Sequence, residues 1–193
     1  MFRRRPHFAL TTQSLVLRQP QMGDFGQWSN LLQQSEEFLK PWEPHRAPDH
    51  YTRRGFRNRV AWAERAMQNG RALPMFLFAD EDILVGGLTL DNIRKGPSQA
   101  GTVGYWIGEP YARRGYMREA LNAVVEYAFR DMDLSRIEAA CLPENAASRS
   151  LLETSGFKYE GVAQSYLQIA GRWRTHVLYA NLRMDRRGRV ESS

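Results

Sequence analysis

A chain of 193 residues is long enough for one domain with a substantial core and too short for two. With 42% apolar and 11% aromatic residues it is not a disordered chain. Its single Cys excludes an internal disulfide framework or a four-thiolate zinc site, and no apolar run approaches the roughly 18 residues of a membrane helix. The basic start Met1-Phe2-Arg3-Arg4-Arg5-Pro6 leads into no apolar segment of the kind a secretory signal carries. The expectation is a reduced, cytoplasmic, globular protein.

The formal net charge is +6, from 27 Lys and Arg against 21 Asp and Glu. Three Arg and no acid lie in residues 1–10, and Arg183, Arg186, Arg187 and Arg189 outnumber Asp185 and Glu191 near the other end. The basicity is therefore concentrated in the termini, read as tails over 1–9 and 185–193 around a single domain at 10–184. Such tails are solvated, or give weak attraction to RNA or a ribosome.

In chain order, residues 12–18 form a β-rich run stopped by Pro20. Asp24 is placed to cap an amphipathic helix carrying Phe25, Trp28, Leu31 and Leu32. A loop punctuated by Pro41 and Pro44 follows. Thr52 caps a second helix with Phe56, Val60, Ala63 and Met67 on one face, and Gly70 stands where a C′ glycine belongs. Residues 75–79 and 83–90 flank the turn Asp80-Glu81-Asp82 as a hairpin, and 102–108 is a third strand. Residues 115–130 read as a helix, 137–142 as a strand, 145–154 as a helix closed by Gly156, and the rest as two strands around Ala170-Gly171-Arg172. This is a mixed α/β domain with an antiparallel start and a βαβα centre.

The junction between the third strand and the next helix carries the clearest chemistry. A strand ends at Gly108, a basic loop runs Tyr111-Ala112-Arg113-Arg114-Gly115, and a helix begins. The free amides of a helix start, its dipole and Arg113, Arg114 and Arg118 form a site for an anion such as a pyrophosphate. The Gly-Lys-Ser/Thr ending of a Walker loop is missing, as is the Rossmann glycine pattern.

Tyr105-Trp106-Ile107-Gly108-Glu109 with Arg114-Gly115-Tyr116-Met117-Arg118-Glu119-Ala120-Leu121 resembles motif A of the GNAT acetyltransferases. Asn145-Ala146-Ala147-Ser148 with Leu151-Leu152-Glu153-Thr154-Ser155-Gly156-Phe157 resembles their motif B. Phe38-Leu39-Lys40-Pro41-Trp42-Glu43-Pro44 and Gly171-Arg172-Trp173-Arg174-Thr175-His176-Val177-Leu178 resemble the RimJ/RimL-type ribosomal-protein N-acetyltransferases of that family, a likeness running from about Leu10 to Met184. The resemblance implies a GNAT fold, a mixed and mostly antiparallel sheet of about seven strands with about four helices. It also implies transfer of acetyl from acetyl-CoA to a protein N-terminal α-amine, that of the N-terminal alanine of a small-subunit ribosomal protein in the RimJ branch; His45 and His50 have no third ligand at a suitable spacing, so no metal is expected. Cofactor contacts carried over by position are Tyr105, Trp106, Ile107, Arg113, Arg114, Gly115, Tyr116, Met117, Arg118 and Asn145. A bulged strand at 105–108 is expected to offer an amide to the thioester carbonyl.

Two departures stand out. The signature Gln/Arg-x-x-Gly-x-Gly/Ala reads Ala112-Arg113-Arg114-Gly115-Tyr116-Met117 here, so both outer positions differ while the main-chain cradle is kept. The Tyr general acid of many relatives is replaced by Leu152, which leaves Ser148 as the matching acid, or as a helix cap. Glu43 is a candidate base or reader of the substrate ammonium, or a solvated loop carboxylate. Trp42 and Tyr166 are candidate groove walls. Cys141 reads as a buried thiol without a base partner, and His176 as structural.

An α-amine of pKa about 7.7–8.0 is already about one tenth neutral at pH 7, so a modest base acting through water suffices. Two other readings remain: a small-molecule amine as acceptor, disfavoured by the basic segment 40–59, and a catalytically weak ribosome- or RNA-binding protein. The chain is expected to be a monomer or homodimer, without a membrane partner.

Overall fold

In a computed structural model, the structure describes residues 8–80 and 82–186. The basic segments 1–7 and 187–193, the outer parts of both expected tails, lie outside them. Eight strands form one sheet: β1 (Ala9–Thr11), β2 (Val16–Arg18), β3 (Leu73–Ala79), β4 (Ile83–Arg94), β5 (Ala100–Ile107), β6 (Arg136–Cys141), β7 (Lys158–Ile169) and β8 (Arg172–Leu182). The helices are α1 (Phe25–Gln34), α2 (Glu36–Leu39), α3 (Arg53–Gln68), α4 (Tyr116–Arg130) and α5 (Ala146–Thr154). The spatial order is β1-β2-β3-β4-β5-β6-β8-β7, antiparallel throughout except for β5 and β6.

The mixed, mostly antiparallel α/β architecture is the one expected, with one strand and one helix more. The extra strand arises because 12–18 is not one run. Thr12 N donates to Leu15 O, and the Thr12 hydroxyl also bonds there, which closes a turn between β1 and β2. The extra helix is the single turn α2. The fold takes in residues 8 and 9: Ala9 opens β1 and Phe8 packs its ring 4.8 Å from that of Tyr127.

Core formation follows the period of each element. In β3, buried along its whole length, Met75, Leu77 and Ala79 face α4 while Phe76 and Phe78 face α1 and α3, the two-residue alternation of a central strand. On the α4 side Leu121, Val124 and Ala128 meet Val85, Val103 and Ile137. On the other side Trp28 and Phe56, with rings 4.8 Å apart, cover Phe76, Leu84 and Trp106.

Capping at α3 is as expected: the Thr52 hydroxyl accepts from Gly55 N at 3.0 Å, and Gly70 has φ +63° just past the helix end. Asp24 differs. Its side chain makes no cap bond to α1. Instead its buried carboxylate takes two bonds from the Arg18 guanidinium (2.9 and 2.8 Å) and one from Gln21 N (2.7 Å). A charge-assisted fork outcompetes a single neutral cap for the same oxygens.

Parallel pairing of β5 with β6 lasts only from Ala100↔Arg136 to Thr102↔Glu138. Beyond it the strands part. β5 continues against β4 from Asp91↔Thr102 to Gly86↔Ile107, and β6 continues against β8 to Cys141↔Val177. The site lies around this opening.

Candidate active site

From residue 103 onward β5 has no strand partner on the edge turned away from β4, so its outward peptide groups are free for an extended ligand. The bulge expected at 105–108 is absent, since the β4–β5 register shifts only between Asp91 and Arg94. The departure of β6 frees these groups.

At the end of β5 a single 3-10 turn, Glu109–Tyr111, leads to α4. Gly115 precedes the helix with φ +84°, and a Cβ there would meet nothing within 4 Å. The first helical bond runs from Glu119 N to Gly115 O at 3.1 Å, leaving the amides of Tyr116, Met117 and Arg118 without an intrahelical partner. Exposed Arg113, Arg114 and Arg118 surround them, and the Arg114 guanidinium sits 5.5 Å from the Tyr111 ring. The carboxylate in the first turn of α4, Glu119, is engaged with the Thr12 hydroxyl and with Ser14 N (2.7 Å). Open amides, a helix dipole and guanidinium groups without an ion pair among the described residues suit a phosphate-bearing ligand. Met117 has its side chain in the core, so only its amide is available.

Across the opening, Asn145 caps α5 by accepting from Ser148 N at 3.0 Å. Asn145, not Ser148, is therefore the cap, worth about 1 kcal/mol, and the Ser148 hydroxyl is left for another role. It lies 2.8 Å from Tyr105 Oη. Burial pushes the Tyr105 phenol well above its ordinary pKa, so Tyr105 keeps its proton. Leu152, at the position of the missing Tyr acid, is fully buried in the core. Burial also raises the Cys141 thiol beside Ser148, as expected for an inert buried thiol.

On the α1–α3 side two cavities adjoin. One, of about 340 Å³, is walled by Trp28, His45, Arg46 and His50; the other, of about 220 Å³, by Trp62, Phe76, Gly104 and Tyr105. Glu43, Arg59 and Trp106 belong to both. The Arg46 guanidinium bonds Oε2 of Glu43 through Nε (3.0 Å) and Nη2, which leaves Oε1 of Glu43 without a bond from any described residue. Glu43 is also tied to the C-terminal hairpin, where Ala170 N donates to Glu43 O at 3.0 Å. At the tip of that hairpin Ala170 (φ +47°) and Gly171 (φ +77°) form its two-residue turn. A Cβ on Gly171 would come within 2.6 Å of His45 Nε2. The loop around 43–45 and the hairpin thus touch. Trp42 and Tyr166 are exposed and line neither cavity, and Tyr166 packs 5.6 Å from the ring of buried His176.

Arg46, His50, Arg59 and Gly104 were not singled out by the sequence as site residues. The signal available was the Arg at 59, within the apolar stripe of α3.

Residues 14–158 match the acetyltransferase (GNAT) domain family, and the chain belongs to it. It is an N-acetyltransferase. Over 176 residues, 91% of each chain, it is 36% identical to the ribosomal protein uS5-alanine N-acetyltransferase of Escherichia coli (strain K12). Its fold is similar to that of the ribosomal-protein-S5-alanine acetyltransferase from Vibrio fischeri (TM-score 0.86, 28% identity, covering 94% of this chain and 100% of that one). It is also similar to Mycobacterium smegmatis RimJ in complex with CoA-disulfide (TM-score 0.84, 30% identity, 89% of this chain and 83% of that one). No described helix is long and apolar enough to cross a membrane.

Proposed function

We propose that the protein is a cytoplasmic enzyme that acetylates the N-terminal α-amine of a polypeptide, with a ribosomal protein as acceptor, in a single GNAT domain. The supporting observation is the pair of adjoining cavities that meet at Glu43, Arg59 and Trp106 and extend along β5 to Gly104 and Tyr105. An elongated groove suits a chain end. Two guanidinium groups facing one carboxylate suit neither a polyamine nor an aminoglycoside. The named substrates of the relatives point the same way.

The residues around β5 and α4 fit acetyl-CoA. The amides of Tyr116, Met117 and Arg118, the turn at Gly115 and the three arginines would hold its pyrophosphate. The free edge of Tyr105, Trp106 and Ile107 would take the extended pantetheine arm, and Asn145 orders the opposite wall. Acetyl-CoA supplies the acyl group as an activated thioester.

Protein groups then manage two protons. The Glu43 carboxylate, through the unbonded Oε1, holds the acceptor ammonium and takes its proton, directly or through water. Tyr105, kept protonated by burial, can donate to Ser148 Oγ, and in that arrangement the Ser148 hydrogen is free to point into the opening, where a leaving thiolate needs it. The buried, base-less Cys141 has no part in this direct transfer.

Acetylation of a panel of peptides differing in residues one and two, run beside spermidine and an aminoglycoside and read by intact mass, tests the reading. One acetyl group on the α-amine of peptides with a small first residue is expected. Turnover of the small amines with none of the peptides would overturn the polypeptide acceptor.

A further inference from the structure

α3 buries Phe56, Ala63 and Ala66, positions spaced by seven and three along one face. Arg59 stands on the same stripe, three residues after Phe56 and four before Ala63. An arginine on a core-facing stripe departs from the pattern that folding alone requires, and such departures mark functional positions. Here the side chain runs over the Trp28 ring, with Cζ 5.4 Å from its centroid, and reaches the junction of the two cavities.

Its charge is only partly answered, by the field of Glu43. Arg59 makes no hydrogen bond or ion pair with any described residue, although Glu43 lines the same cavities, because Glu43 is held by Arg46. On the same wall His50 Nε2 is buried without a partner. Burial, Arg59 and Arg46 all hold His50 neutral, with Asp49 opposing them weakly. The cavity therefore presents one free guanidinium and one free imidazole nitrogen in a locally positive field, with apolar walls from Trp28 and Trp106. A carboxylate on a short stem satisfies both groups, and a second cation brought against Arg59 and His50, away from the acceptor ammonium at Glu43 Oε1, is repelled.

We infer that Arg59 reads an acidic side chain in the first few residues of the acceptor polypeptide, which makes the enzyme selective for N-termini that carry Asp or Glu just after the acetylated residue. The inference rests on the N-terminal acetylation proposed above and names the sequence class of its acceptors. Arg59 is exposed overall, so the pairing is a partly screened one, worth about fivefold in kcat/KM.

The test uses the full-length enzyme, acetyl-CoA and peptides that share an N-terminal Ala and differ only in Glu, Gln or Lys at position two or three. The wild type should prefer the Glu peptide over the Gln peptide by about fivefold at one of these positions, mainly through KM, and should use the Lys peptide worst. In Arg59→Gln the Glu-to-Gln ratio should fall to about one, and in Arg59→Glu the order should invert in favour of Lys. A melting temperature for each variant confirms folding. Equal use of Glu and Gln peptides by the wild type, or an unchanged ratio in Arg59→Gln, would overturn the role of Arg59 and leave N-terminal acetylation standing. Failure to acetylate any peptide while small amines are turned over would overturn both.

Discussion

Tyr105 Oη and Ser148 Oγ, 2.8 Å apart, join β5 to α5 on the far side of the opening that begins after Thr102. Each hydroxyl is fixed by something else: Tyr105 by its strand and by burial, Ser148 by the amide it gives to Asn145. Ser148→Ala should lower kcat by about a hundredfold or more, the usual range for losing a general acid, with little change in acetyl-CoA affinity. Tyr105→Phe keeps the ring and loses the donor, and should lower kcat about tenfold. Stopped-flow turnover with isothermal titration separates the two quantities. Unchanged kcat in Ser148→Ala would remove it from catalysis.

Gly115 is held at φ +84°, where a side chain costs about 1–2 kcal/mol. Gly115→Ala should lower the melting temperature by a few degrees. It should also weaken acetyl-CoA binding by about tenfold or more, because the Cβ projects into the space beside the helix-start amides. Calorimetric titration reads the second effect. Full affinity in a folded variant would place the pyrophosphate elsewhere.

Gly104 lines the smaller cavity, and a Cβ there meets no protein atom within 4 Å. Gly104→Val therefore fills groove and not core. Its melting temperature should stay within a few degrees of the wild type, since valine also favours the strand, while the KM for peptide rises by about tenfold and acetyl-CoA affinity holds. A normal peptide KM would mean that the acceptor does not use this cavity.

His50 is neutral in the folded protein, its pKa brought down to about 4 by burial first and by Arg59 and Arg46 next. Unfolded, it titrates near 6.5. Between these values the unfolded chain binds the proton that the folded chain refuses, so this contribution to stability is lost as pH falls from about 6.5 towards 4. Thermal melts across that window should show a steeper decline in the wild type than in His50→Phe. Parallel curves would show that His50 is not held neutral.

What the sequence conveyed was mostly local. Gly115, Asn145 and Thr52 announce themselves because each answers a short-range backbone need, a positive φ or an unbonded amide, within three residues. Asp24 misled because the same carboxylate serves a cap or a guanidinium equally well, and Arg18, six residues back on a strand, lies outside the window in which caps are read. The groove was legible only in outline. Glu43 was expected beside the acceptor, and Glu43 O receives Ala170 N from the C-terminal hairpin. Its walls, however, are assembled from α1, α3, β5 and the loop after Trp42, so that Arg59, His50 and Gly104 meet only through tertiary packing. Trp42 and Tyr166, singled out for their size and position in the chain, stand outside the cavities.

The short β5–β6 pairing also bears on how the molecule comes apart. Only the stretch from Ala100↔Arg136 to Thr102↔Glu138 stitches the five-strand block β1–β5 to the three-strand block β6-β8-β7. Main-chain cohesion is thus interrupted at mid-sheet, and α4, α5 and the Tyr105–Ser148 bridge must hold the blocks together by side chains. The two blocks are natural cooperative units for partial opening, with the seam as the hinge line. Amide exchange in residues 100–102 and 136–138 would then report the breathing of the whole molecule at its weakest join, and a ligand lying along the seam would act as a suture.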